Sequence, residues 1–318
     1  MNKFKNALFS LTTIVLLGVL STTPVWASGF SFSTGSPDGR LGALSRPAGL
    51  QGVETETADD FVLTQPTVIS GATINGLLLA TGASVPSVAG VEVEIYRVFS
   101  LDSDVGRTSG APLFSTVKVP TRVNSPADNE IAVDTRDSSD STLSFVPNQI
   151  SNFQVQNTVI DGINLKPLQK TLGEGPRSGE QVGIDITFNT PLFLLPGHYF
   201  FRPEVNVSGG NFLFLSSPRS GAPFPDGTND LQAWIRNTNL KPDWLRIGTD
   251  IIGAGTFNMT FSLSGNTIPE AGTPGKVNCH GQTVSAMAVE FGDLDTAVRT
   301  LGYSSSDALQ NGIGVFCQ

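Results

Sequence analysis

Glu54, Glu56, Asp59 and Asp60 form the densest set of carboxylates in the chain. Oxygen donors at that density suit calcium, which takes six to eight of them. Successive residues of a strand point to opposite faces, so at most one of Asp59 and Asp60 aims inward. The competing reading is a solvated, charged strand edge that discourages edge-to-edge pairing. A second group is aromatic. Alternation puts Gln232, Trp234 and Arg236 on one face, opposite Leu231, Ala233 and Ile235. An exposed tryptophan beside an amide and a guanidinium can stack on a sugar ring and hydrogen-bond its rim. The same tryptophan can instead fill the second side of a β-sandwich. Tyr199 and Phe200 extend the aromatic set, and Trp244, after Pro242 and Asp243, fits a plug at the end of a core.

Nucleophilic catalysis has little to build on. His198 and His280 are the only histidines, and His280 directly follows Cys279. Adjacent side chains rarely converge, so Cys279 and His280 do not make a catalytic pair. No Gly-x-Ser-x-Gly elbow occurs. Gly173, Glu174 and Gly175 lack the lysine and the helix of a phosphate loop. The expectation is a protein that is not an enzyme.

The elements that must position these residues begin after an expected secretory signal. Lys3 and Lys5 precede an apolar run over residues 7–20, and Val25, Trp26 and Ala27 make a small-x-small cleavage site. Residues 1–27 are read as the signal peptide, with the mature chain starting at Ser28 and secreted to the periplasm or beyond. No membrane segment is expected after its removal. Cys279 and Cys317 are then an even pair in an exported chain, which reads as a disulfide. The net charge of −9 and the absence of a Lys/Arg cluster make the chain a poor candidate for binding nucleic acid or anionic lipid, and neither is expected as a partner.

Composition favours strands. The 34 Gly and 20 Pro are costly inside helices and at home in turns. Residues 91–96 alternate most clearly: Val91, Val93 and Ile95 are expected in a core, Glu92 and Glu94 in water. Arg97 and Val98 break that parity. Further strands are expected at 61–63, 68–79, 113–119, 143–146, 182–188, 197–205, 211–216, 231–236 and 256–263. Residues 120–141 and 165–180 read as long polar connections. The fold class is mainly β, an antiparallel, jelly-roll-like β-sandwich over 28–265.

Residues 266–276 read as a linker, and residues 277–318 turn helical. Val284, Met287, Ala288 and Phe291 make one apolar stripe. Leu294, Ala297, Val298 and Leu301 make a second, and Leu309, Ile313 and Phe316 a third. Gly292 and Gly302 sit where two helices end, and residues 304–307 offer capping oxygens to the last one. Such a three-helix module is too small to hold on its core alone. Joining Cys279 to Cys317 closes nearly all of it, a constraint of about 4 kcal/mol by chain entropy. Reduction is expected to melt this module and leave the sandwich folded.

Residues 56–63, with Ala58, Asp59, Asp60 and Phe61 at their centre, and residues 69–74 after them resemble a class of bacterial secreted β-sandwich domains. These often precede a PEP-CTERM sorting tail. Ile268, Pro269 and Glu270 look like the start of such a tail, but no hydrophobic helix or arginine cluster follows them. Residues 275–281 and the helices behind them instead look like a small C-terminal module of assorted bacterial exported proteins. The resemblance implies that a strand near Gly248, Thr249 and Asp250 leads into the end of the sandwich, where Asp250 could join Asp59 or Asp60 on a structural calcium. It implies no activity. Two functions stand as expectations: an exported, non-catalytic protein that binds a glycan or another surface component, or a structural, matrix-type protein without a small-molecule ligand. A glycan-active hydrolase is a distant third. An exposed aromatic platform points to the first, a buried Trp234 to the second.

Overall fold

The computed structural model describes residues 29–49, 52–98, 124–126, 135–163, 171–218, 222–238, 244–253, 255–268 and 271–318. The expected signal peptide and the strand expected at 113–119 lie outside them.

Fifteen strands are formed among the described residues. The first eight are β1 (Gly29–Ser33), β2 (Leu41–Leu44), β3 (Thr55–Leu63), β4 (Thr67–Ala80), β5 (Ser87–Arg97), β6 (Thr135–Asp137), β7 (Leu143–Val155) and β8 (Asn157–Val159). The others are β9 (Arg177–Leu194), β10 (Gly197–Ser208), β11 (Gly210–Ser217), β12 (Trp234–Asn237), β13 (Leu245–Arg246), β14 (Asn258–Met259) and β15 (Phe261–Thr267). A π-helical turn spans Ile247–Ile252. Three helices close the chain: α1 (Cys279–Phe291), α2 (Leu294–Leu301) and α3 (Ser306–Phe316).

The strands make two sheets, one of nine and one of six, packed as a β-sandwich. In the larger sheet β4 is the spine. Its one side pairs with β9 along nearly its whole length, and its other side pairs first with β15 and then with β11. A Cβ at Gly76 would collide with the Phe212 ring, so glycine at that point lets β11 lie against β4. The smaller sheet runs β13, β12, β3, β10, β5, β6, all antiparallel. The inner faces interdigitate: Phe61, Val91, Val93, Ile95 and Phe201 from the smaller sheet meet Ile74, Ile184, Phe212 and Phe261 from the larger.

β5 bears out half of its expectation. Val91, Val93 and Ile95 enter the core, and the strand ends at Arg97. Glu92 and Glu94 do not face water: Glu92 is half-buried and Glu94 is buried. Alternation tells which face a residue takes, not whether that face is wet.

The three helices form as the stripes require. Gly292 and Gly302 end α1 and α2 with φ of 86° and 82°, where a side chain would be strained. Asp293 and Ser305 cap α2 and α3, accepting from Thr296 N at 2.6 Å and Ala308 N at 3.1 Å. Cys279 and Cys317 are joined, with their Cα atoms 5.7 Å apart. The module does not keep a core to itself. β15 continues through Thr267, the first two residues of the expected linker, and Ile268 is buried among the helices. Val68 of β4 and Phe193 of β9 complete that cluster, with Phe193 stacked on Phe316 at 4.0 Å. Three helices this short cannot surround their own apolar stripes, so the outer face of the larger sheet supplies the missing wall.

Candidate functional site

The opposite outer face, on the six-stranded sheet, gathers the polar chemistry. On β10, Tyr199, Phe201 and Val205 enter the core, so His198, Phe200, Arg202 and Glu204 face outward. The same parity turns Glu56, Ala58 and Asp60 outward on β3, Glu92, Glu94 and Tyr96 on β5, and Trp234 and Arg236 on β12. Register then chooses neighbours. Arg202 lies opposite Glu94, Glu204 opposite Glu92, and Arg236 opposite Glu56. Such cross-strand partners sit close enough for their side chains to meet.

Arg202 is only 2 % exposed. Its Nη2 lies 3.3 Å from Glu92 Oε1 and also contacts Glu94 Oε2, while Nη1 lies 2.9 Å from Glu204 Oε2. Arg236 donates through Nε to Glu56 Oε2 and through Nη2 to the Tyr96 hydroxyl at 3.3 Å. Tyr96 in turn donates to Glu94 Oε2 at 2.6 Å. The Arg236 guanidinium also lies 4.5 Å from the centre of the Trp244 ring, which meets Tyr96 edge-on. Burial pushes the Glu204 carboxyl up to about 8 against the pull of Arg202, and the neighbouring Glu56 and Glu92 add to the rise. Burial likewise lifts Glu92 to about 7, again opposed by Arg202. The buried Arg202 is held above its ordinary value: desolvation opposes its charge, but Glu204 and Glu56 outweigh it.

A second polar group lies on β3 and its neighbours. Asp60 accepts at Oδ2 from Leu231 N at 3.1 Å and meets His198 Nε2 at 2.5 Å. Burial raises the Asp60 pKa, and the His198 hydrogen bond opposes the rise. Phe224 packs edge-on against the His198 ring. Through Leu231 and Phe224 the pair holds these loop residues against β3 and β10. Asp59 points the other way, into the sandwich, and accepts from Met259 N at 2.7 Å. Burial, and then Asp60, raise its pKa strongly.

Asp59 and Asp60 take opposite faces of β3, as alternation requires. Asp250, expected to join one of them on calcium, is engaged elsewhere. Asp250 engages both oxygens with Arg246, at 2.8 Å from Nη2 and 2.8 Å from the backbone N. The expected aromatic group is assembled differently too. Trp234 and Arg236 share a face, but Trp234 is 3 % exposed and Trp244 1 %. Gln232 turns to Thr249 of the π-helical turn, donating to its hydroxyl at 3.3 Å.

Among the described residues one trio of acidic, histidine or cysteine ligand atoms lies within 4.8 Å of one another: Glu54, Glu56 and Glu204. Glu54 and Glu56 belong to the acidic cluster visible in the sequence. Glu204, Arg202 and His198 were missed. Their only signal was parity, since His198, Phe200, Arg202 and Glu204 alternate with apolar or proline positions. No protein-family model, curated protein or solved structure matches the chain, so its function is argued from its own residues.

Proposed function

We propose that the chain is an exported, non-catalytic protein that serves as a structural, matrix-type module. One observation carries this reading: Trp234, the aromatic expected to stack on a sugar, is buried with Tyr96, Phe200 and Trp244 beside the arginine–glutamate network. The glycan-binding reading needs it at the surface. Arg236, its expected rim donor, is engaged by Glu56 and Tyr96. The His198–Asp60 pair adds little to the hydrolase reading, because among the described residues its contacts are with Leu231 N and the Phe224 ring.

Export is supported by the signal-like residues 1–27, by the resemblance to secreted sandwich domains and by the Cys279–Cys317 bond, which belongs in an oxidising compartment. Among the described residues no helix is long and apolar enough to cross a membrane. N-terminal sequencing of the exported protein should begin within a residue or two of Ser28. The mature chain should then fail to retain polysaccharides in a glycan screen. Residues 1–27 intact in the mature product would overturn the export reading, and saturable glycan binding would overturn the matrix reading.

A further inference from the structure

We propose that Glu54, Glu56 and Glu204 form a calcium site on the outer face of the six-stranded sheet. One carboxylate oxygen from each lies within 4.8 Å of the other two. Calcium sits about 2.3–2.6 Å from its oxygen ligands. Two oxygens on one calcium are therefore at most about 5 Å apart, so the trio can close on the ion with little movement. Magnesium holds its ligands at about 2.0–2.1 Å in a stricter octahedron, which this spread serves less well. Zinc and the softer metals prefer imidazole and thiolate, and the trio offers neither.

A second observation, independent of that spacing, points to a ligand. Glu204 is 2 % exposed, and its Oε1 is buried without a hydrogen-bond partner among the described residues. Its other oxygen, Oε2, goes to Arg202 Nη1. A buried carboxylate oxygen left bare is costly, and protein groups in native folds rarely tolerate it. The other two members have room as well. Among the described residues Glu54 accepts a single long contact, from Thr238 Oγ1 at 3.5 Å, and Glu56 accepts from Arg236 at Oε2.

Glu204 also lines a cleft of about 410 Å³ with Glu92, Asp137 and Asn206, although Glu54 and Glu56 are not part of its wall. Water would have to complete the coordination that three carboxylates leave open. The ion would tie the residues at the start of β3 to β10. This goes beyond the matrix-type reading and does not depend on it.

The test is calorimetric titration of the whole mature chain with calcium chloride, paired with thermal melts with and without a chelator. We expect one ion per chain, with an affinity in the range of extracellular modules, about 10⁻⁴–10⁻³ M. Calcium should raise Tm, and chelator should reverse the rise. Glu54→Gln, at a half-buried position with only the Thr238 contact, should fold and bind at least about tenfold more weakly. Glu204→Gln gives a second reading: its melt should no longer respond to calcium. Asp59→Asn and Asp250→Asn should respond as the parent does. No heat and no shift at about 10 mM calcium overturns the site. An unchanged response in Glu54→Gln, or a loss confined to the aspartate variants, overturns it equally. A magnesium response as large as the calcium response overturns the choice of ion.

Discussion

The sandwich has two outer faces, and they are closed by opposite chemistry. On the nine-stranded sheet Val68 and Phe193 meet an apolar wall of Met287, Leu301, Ile313 and Phe316. On the six-stranded sheet Arg202 and Arg236 are buried among Glu56, Glu94 and Glu204. Apolar contact is additive and forgiving: removing part of it costs roughly the area lost. A buried charge layer is neither. Its attraction barely offsets desolvation while every partner is present, and it becomes a liability when one is removed. Four carboxyl groups with a raised pKa, Asp59, Asp60, Glu92 and Glu204, lie on β3, β5 and β10. None of these four is on the helical side. The two faces should therefore answer to different perturbations.

The largest effect should come from breaking the charge layer at its hub. Arg202→Met keeps the volume and removes the cation that Glu92, Glu94 and Glu204 share. Leaving those carboxylates unpaired should cost about 3–5 kcal/mol in urea unfolding at neutral pH. A loss under about 1 kcal/mol would mean that the layer behaves like a surface salt bridge, and the contrast between the faces would collapse.

The helical face should break next, and by a different route. Cys317→Ser opens a loop that spans 38 positions. Chain entropy sets its cost at about 4 kcal/mol, and engineered or removed bridges usually deliver somewhat less. The module shares its core with Val68, Phe193 and Ile268, so melting the helices also bares part of the larger sheet. The variant should thus lose helical circular dichroism at a lower temperature than the sandwich, and protease should cut first near Lys276 or Arg299. If all signals fall together, docking on Phe193 has fused the two into one cooperative unit. If nothing changes, the stacking of Phe193 on Phe316 holds the helices without the bridge.

What could be read from the residues divides along the same line. Helix stripes, their glycine ends and the cysteine pair were legible because each is a local pattern with a local cause. The strand parity of β5 was legible for the same reason. The module's docking was not, because Val68 and Phe193 look like any alternating strand residues until the sheet places them under the helices. The charge layer was hidden more deeply. Glu92 and Glu94 carry the usual mark of a wet face, and only pairing with β10 brings Arg202 to them. Glu54 and Glu56 stood out as an acidic cluster, but their third partner lies about 150 positions away in the chain and was set by register. Asp250 failed for a nearer reason: Arg246, four residues before it, claims both its oxygens.

The smallest effect is the most discriminating, because it separates the faces within one molecule. Glu92 and Glu204 ionise in the unfolded chain near the ordinary carboxylate range, and in the fold at about 7 and about 8. Around Glu204 stand Arg202, Glu56, Glu92 and Glu54. Between the unfolded and folded values the native state holds more protons than the unfolded state. Stability therefore falls as pH rises through that window, from about pH 5 to about pH 8. The contribution is fully present below the window. Asp59 and Asp60 act in the same direction. A tenfold difference in proton affinity between the folded and unfolded states is worth about 1.4 kcal/mol. Trp234 and Trp244 sit in the charge layer, so tryptophan fluorescence reports that face directly. Measured in chelator, its unfolding midpoint should drop between pH 5 and 8. The helical signal of Cys317→Ser, which melts ahead of the sandwich, should hold nearly constant over the same interval. Asp293, whose pKa is lowered by its hydrogen bonds with Thr296, titrates below it. A fluorescence midpoint that stays flat or rises would show that the Glu92 and Glu204 carboxylates are already ionised at pH 5. The apolar and polar faces would then differ in composition but not in their response to pH.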